Sequence, residues 1–173
     1  MNIIPASAEP DMLSLPVLPK HPSDSLLPYA QRTISRALRL LEKQLYEPSV
    51  VLTSCASVCD WLRLHLAMRE REVFIALYLD NRHRLIAHDT LFLGTINKTE
   101  VHSRELLKTA LRHNAAAVIV AHNHPSGHAE PSSTDRQLTI HLREVLALVD
   151  IRLLDHLVVG GMDIVSFTER GWL

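Results

Sequence analysis

His122 and His124 stand two residues apart, and Ser132 and Asp135 follow a short way downstream. Two imidazoles and a carboxylate are the donor types of a zinc ion that keeps one position open for water. On a strand, positions i and i+2 face the same side, so both imidazoles point one way. Pro125, Ser126 and Gly127 then turn the chain. A helix starting near Ser132 brings Asp135 back as the third ligand, so His122, His124 and Asp135 are the expected metal set. Zinc lowers the pKa of a water in its fourth position to about 7, which makes hydrolysis the expected chemistry.

Hydrolysis also needs a base that carries the water's proton to the leaving group. Glu72 opens a short apolar run and shares a face with Phe74, Ala76 and Tyr78. A carboxylate at the mouth of an apolar sheet is costly unless it has a partner or a task. Glu72 is therefore the expected catalytic base, with Glu70 as its local rival. Ser132 is the second expected catalytic residue, because its hydroxyl can cap the helix, donate to a developing oxyanion, or both.

Each part has an ordinary explanation when taken alone. Ser-x-x-Asp is a helix-capping signature, and a chain with 11 histidines places some of them two apart by chance. The weight comes from all the parts occurring together, after a buried strand and before a helix.

The elements that would position these residues can be read from periodicity. Residues 1–23 hold Pro5, Pro10, Pro16, Pro19 and Pro22, and read as an extended, flexible arm. Apolar residues at helical spacing over 25–45 give an accessory N-terminal helix within 24–50, and Pro28 is tolerated in its first turn. Residues 51–173 form the main domain. Its second helix runs from a Ser54 cap to about Arg69, and a buried strand covers 72–79. Residues 84–93 return as a hairpin strand, and 103–113 form a helix with a serine at its start. A second buried strand over 116–121 delivers the chain into the histidines. Ser132 or Ser133 caps a helix to about Val149, and strands at 151–159 and 164–167 close the domain. The fold class expected is α/β of the α+β type, a mixed sheet packed between helices.

Bulk composition narrows the function classes. At 173 residues, 47% hydrophobic and 21% charged, the chain is long enough for one domain with a core. A net charge of −1 gives no general attraction to DNA or to an anionic membrane, so a nucleic-acid partner has no support from charge. Arg32, Arg36, Arg39 and Lys43 read as the solvated face of an amphipathic helix. No secretory leader and no membrane-length apolar run is visible, which makes a cytoplasmic location the expectation. Cys55 and Cys59 are too few for a disulfide framework and read as small core filler on one helix face.

His-x-His, seven residues, Ser, two residues, Asp resembles the JAMM motif of the JAB/MPN metallopeptidases, and His122, His124, Ser132 and Asp135 match it without a gap. The wording His-Asn-His-Pro-Ser-Gly followed by Pro-Ser-x-x-Asp is similar to the bacterial RadC-like branch. So are Leu93-Gly94-Thr95, the Arg104-Glu105 helix start and Leu154-Asp155-His156. The resemblance covers roughly residues 25–173 and is greatest to the short RadC-like proteins of prophages and plasmids. It implies a JAB/MPN fold of the cytidine-deaminase-like type, with zinc on His122, His124 and Asp135. It also implies Glu72 as the base, Ser132 stabilising the tetrahedral intermediate, and a protein or peptide substrate cut at a peptide or isopeptide bond. Longer RadC-like proteins carry an N-terminal helix-hairpin-helix region suited to DNA backbones, and no such pattern is found here.

Three other readings compete. One is a DNA repair or recombination factor with a structural or vestigial metal site. Another is a scaffold that keeps the fold without catalysis. A deaminase is disfavoured, since the chain has no Pro-Cys-x-x-Cys to go with a His-x-Glu. His128 and His156 read first as surface or core histidines, and second as supports for the ligands. Substrate choice is expected in the loops around 80–103 and 126–131, and the oligomeric state is not legible.

Overall fold

The computed structural model describes residues 28–47, 52, 55–67, 69–94 and 101–173. The proline-rich arm and the Ser54 cap lie outside these residues. Four helices and five strands follow in the order α1 (Pro28–Leu45), α2 (Cys55–Leu66), β1 (Val73–Leu79), β2 (Leu85–Leu93), α3 (Ser103–Arg112), β3 (Ala117–Asn123), α4 (Ser133–Ala147), β4 (Arg152–Gly160) and β5 (Asp163–Ser166). Among the described residues no helix is long and apolar enough to cross a membrane.

The strands form one mixed sheet in the order β2-β1-β3-β4-β5. Only β3 and β4 run parallel, joined by the crossover helix α4; the other neighbours are antiparallel. This is the mixed sheet between helices expected from the pattern, and it is consistent with a JAB/MPN-like fold. All seven residues of β1 and all seven of β3 are buried, which requires cover on both faces of the sheet. On one face, Ile75, Leu77, Ile119 and Ala121 pack with Trp61, Leu62 and Leu66 of α2 and Leu45 of α1. On the other, Phe74, Ala76, Tyr78, Val118 and Val120 pack with Leu106 and Ala110 of α3 and Leu142 and Leu146 of α4.

Helix α3 starts at Ser103 as expected; its cap is His102, without a side-chain bond, and the Ser103 hydroxyl meets His141 Nε2 at 3.2 Å. One detail differs from expectation. Cys59 fills the core as expected but is in a disulfide rather than free.

The topology places chemistry at one end of the sheet. Alternation puts His122 on the face of Val118 and Val120, towards α4. The carboxyl ends of the parallel pair β3 and β4 and the first turn of α4 meet there. Crevices outside the carboxyl ends of strands, where the order switches, are the usual ligand positions in such sheets.

Candidate metal centre

His122 is the sixth residue of β3 and wholly buried; His124 follows the strand and is half-buried. Between them Asn123 points to the opposite face. The His124 amide donates to the carbonyl of Val159 at 2.8 Å, which pins the start of the turn to β4. Gly127 then adopts φ +82°, a conformation natural to glycine.

Asp135 arrives from α4 by a capping box. The Ser132 amide donates to Asp135 Oδ2 at 2.7 Å, the Ser132 hydroxyl donates to the same oxygen at 2.6 Å, and the Asp135 amide donates to Ser132 Oγ at 3.1 Å. The signature that alone reads as a helix start is a helix start, and it also aims the carboxylate. Ser132 itself is exposed.

The three side chains converge. His122 Nε2 lies 3.1 Å from His124 Nε2 and 3.4 Å from Asp135 Oδ1, and His124 Nε2 lies 3.5 Å from Asp135 Oδ2. Tetrahedral zinc with bonds of about 2.0–2.2 Å spaces neighbouring donors by about 3.3–3.6 Å. The two imidazole–carboxylate separations fall in that range and the imidazole pair is slightly closer, so spacing and donor chemistry suit a single metal ion, and among the described residues this is the His/Cys/Asp/Glu group that could hold one.

Electrostatics agree with that reading. Burial holds the His122 imidazole down at about 4, so it is neutral near pH 7 and keeps a lone pair. His124 is raised, first by its hydrogen bond with Asp135, and burial opposes the shift. Burial pushes Asp135 up, but the bond from His124, the neighbouring His122 and the two bonds from Ser132 outweigh it and leave the carboxylate well below its usual range. Any proton carried by these donors is released when a cation enters.

Two further groups orient the imidazoles. His124 Nδ1 meets the carbonyl of His128 at 2.8 Å, so Nδ1 carries the hydrogen and Nε2 faces the centre. His128 contributes through its backbone and leaves its side chain exposed. A Cβ on Gly160 would collide with the backbone of Ala129 and His128, so this loop lies directly on the end of β4. His122 Nδ1 meets His156 Nε2 at 2.9 Å, and His156 Nδ1 meets Thr139 Oγ1 at 2.6 Å. His156 is thus a buried histidine, as its first sequence reading had it, and it contacts His122. Thr139 carried no signal in the sequence.

Glu72 precedes β1 and is half-buried. Phe74 pairs with His122 and Ile75 with Ala121, so Glu72 lies two residues before the residue paired with His122. Its charge is among the influences that raise His124. Glu70 is exposed and lies further out along the same segment. The backbone beside Glu72 is held by Asn123, which is buried. Asn123 Oδ1 accepts from the Val73 amide at 2.8 Å, while its Nδ2 donates to the Arg71 carbonyl at 3.1 Å. The Glu72 carbonyl accepts from the Gly94 amide at 2.8 Å. Asn123→Ala removes a buried amide and strands its partners, so it is expected to lower stability by about 1–3 kcal/mol. A urea unfolding midpoint equal to that of the parent would show that the clamp contributes nothing.

A three-layer α/β/α domain with a His-His-Asp group that could hold a metal ion, at the carboxyl ends of its parallel strands, is what a JAB-type domain presents. Comparison with known proteins makes this specific: the RadC-like JAB domain model matches residues 52–172, and the chain belongs to that family. It is similar to the UPF0758 protein YkfG of Escherichia coli (strain K12), at 60% identity over 148 residues, covering 86% of this chain and 94% of YkfG. The UPF0758 protein YeeS of the same strain is 53% identical over 148 residues, covering 86% of this chain and 100% of YeeS. A UPF0758 protein of Cellvibrio japonicus (strain Ueda107) is 58% identical over 123 residues, 71% of this chain but 55% of that relative.

Proposed function

We propose that the chain is a zinc-dependent hydrolase that cleaves peptide or isopeptide bonds. The observation that carries this reading is the convergence of two imidazoles and one carboxylate at a spacing suited to one metal ion, with Glu72 two residues before the strand position paired with His122. Nitrogen and oxygen donors in this mixture favour zinc over magnesium or calcium, which take oxygen sets. Held by His122, His124 and Asp135, zinc supplies a Lewis acid for a carbonyl oxygen and acidifies a water.

The chain's own residues then divide the work. Glu72 takes a proton from the attacking water and passes it to the leaving amine as the carbon–nitrogen bond breaks, so the products are a carboxylic acid and an amine. Ser132 donates its hydroxyl to the oxyanion that develops on the attacked carbonyl. That role requires the hydroxyl to turn away from Asp135 Oδ2, its acceptor in the resting arrangement. The exposed Ser132 and half-buried His124 leave the open side to solvent and substrate, while the buried His122 and His156 close the rear.

The test is metal analysis of the purified protein beside cleavage of peptide-linked and lysine isopeptide-linked substrates. One zinc per chain is expected, with cleavage abolished by a chelator and restored by added zinc. Cleavage indifferent to the chelator would sink the proposal.

A further inference from the structure

The buried histidine behind His122 belongs to a closed chain of hydrogen bonds. Thr139 Oγ1 lies 2.6 Å from the carbonyl of Asp135, one turn back on α4. A carbonyl only accepts, so the threonine hydrogen points at it. The same oxygen, 2.6 Å from His156 Nδ1, must then accept there, which puts the His156 hydrogen on Nδ1. His156 Nε2 is left with a lone pair, 2.9 Å from His122 Nδ1, so His122 carries its hydrogen on Nδ1. His122 Nε2 is left bare, and it is the atom that faces His124 and Asp135. Both imidazoles are wholly buried, and the two ring nitrogens of His156 are taken by His122 and Thr139.

The reverse polarity fails at its far end. If His156 donated from Nε2, Thr139 would have to donate to His156 Nδ1. The oxygens of Thr139 and Asp135 would then face each other at 2.6 Å with no hydrogen between them. A hydrogen would also sit on His122 Nε2, inside the donor set.

The chain exists because of a register shift. Pairing of β3 with β4 slips by one residue between Val118 and Ile119, so His156 pairs with Val120 rather than with Ala121. Partners in a pair share a face, and a one-residue slip exchanges faces. The slip thus places His156 on the side of His122 and α4, where Phe167 stacks on it with ring centroids 4.9 Å apart.

We propose that Thr139 and His156 are positioning residues that set the tautomer of His122, so that its Nε2 lone pair is presented to a metal ion. The loop starts at the backbone of one ligand, Asp135, and ends on the ring of another, His122. It therefore couples the seating of α4 to the donor state of β3. The inference rests on the metal reading above, and its test separates the two.

Nitrogen-15 NMR of histidine-labelled, metal-free protein reads the tautomer directly, and competition against a chromogenic chelator reads zinc affinity. Expected are an Nδ1–H form of His122 in the parent protein and a zinc affinity about 10–100-fold weaker in Thr139→Val. Thr139→Ser, which keeps the hydroxyl, should recover most of that loss. A parent protein with its hydrogen on His122 Nε2 overturns the proposal, as does a Thr139→Val variant that binds zinc like the parent. If Thr139→Val fails to fold, the parent spectrum still decides. If no form binds zinc, the metal reading falls while the spectra still test the tautomer lock.

Discussion

Glu72→Gln should reduce turnover by roughly 10²–10⁴-fold, the range for loss of a positioned general base. Zinc content should stay at the parent level, because Glu72 is not one of the three converging donors. The amide keeps the size and position of the carboxylate but cannot take a proton. It also removes a negative charge that helps raise His124. The useful measurement is therefore a pair, kcat beside metal stoichiometry. A large loss in Glu70→Gln with none in Glu72→Gln would reassign the base to the exposed neighbour.

Asp135→Ala carries the second large effect, and it acts on two properties. As a ligand change it should weaken zinc by more than the ~10–100-fold typical of a supporting residue. As a cap change it removes the acceptor of two bonds from Ser132 at the start of α4. Loss of such a cap costs about 0.5–2 kcal/mol, visible in urea unfolding of the metal-free protein. Asp135→Asn separates the two effects. Its amide oxygen can still accept from Ser132, so stability should be largely kept, while the neutral ligand should still lose most of the zinc affinity. Zinc bound by Asp135→Ala as tightly as by the parent would mean that the centre lies elsewhere.

The donor set was legible because its parts are local. A buried strand ending in His-x-His and a capping signature a short loop later can be read by period and spacing alone, and the sheet places them as that reading requires. Glu72 was reached by a different argument, the cost of a carboxylate beside apolar residues, and it lies two residues before the Phe74–His122 pair. What was not legible depends on pairing between distant segments. His156 faces His122 only because β4 lies beside β3 and slips by one residue, and neither fact has a local signature. Asn123 reads as the spacer of a motif until the opposite face of β3 is known to carry the backbone before β1. The Ser103 start of α3 was legible, but the partner of its hydroxyl, His141 of a helix far along the chain, was not.

The contact at Gly160 gives the centre a mechanical gauge. The backbone of the loop rests on the strand with no room for even one methyl group between them. The carbonyl in that loop steers the ring of His124. The thickness of a peptide plane, and no side chain, thus sets how far this imidazole stands from its partners. A part with that tolerance cannot be shimmed. Any wider residue at position 160 would lift the loop, tilt the ring and open the triangle of donors, although it touches none of them.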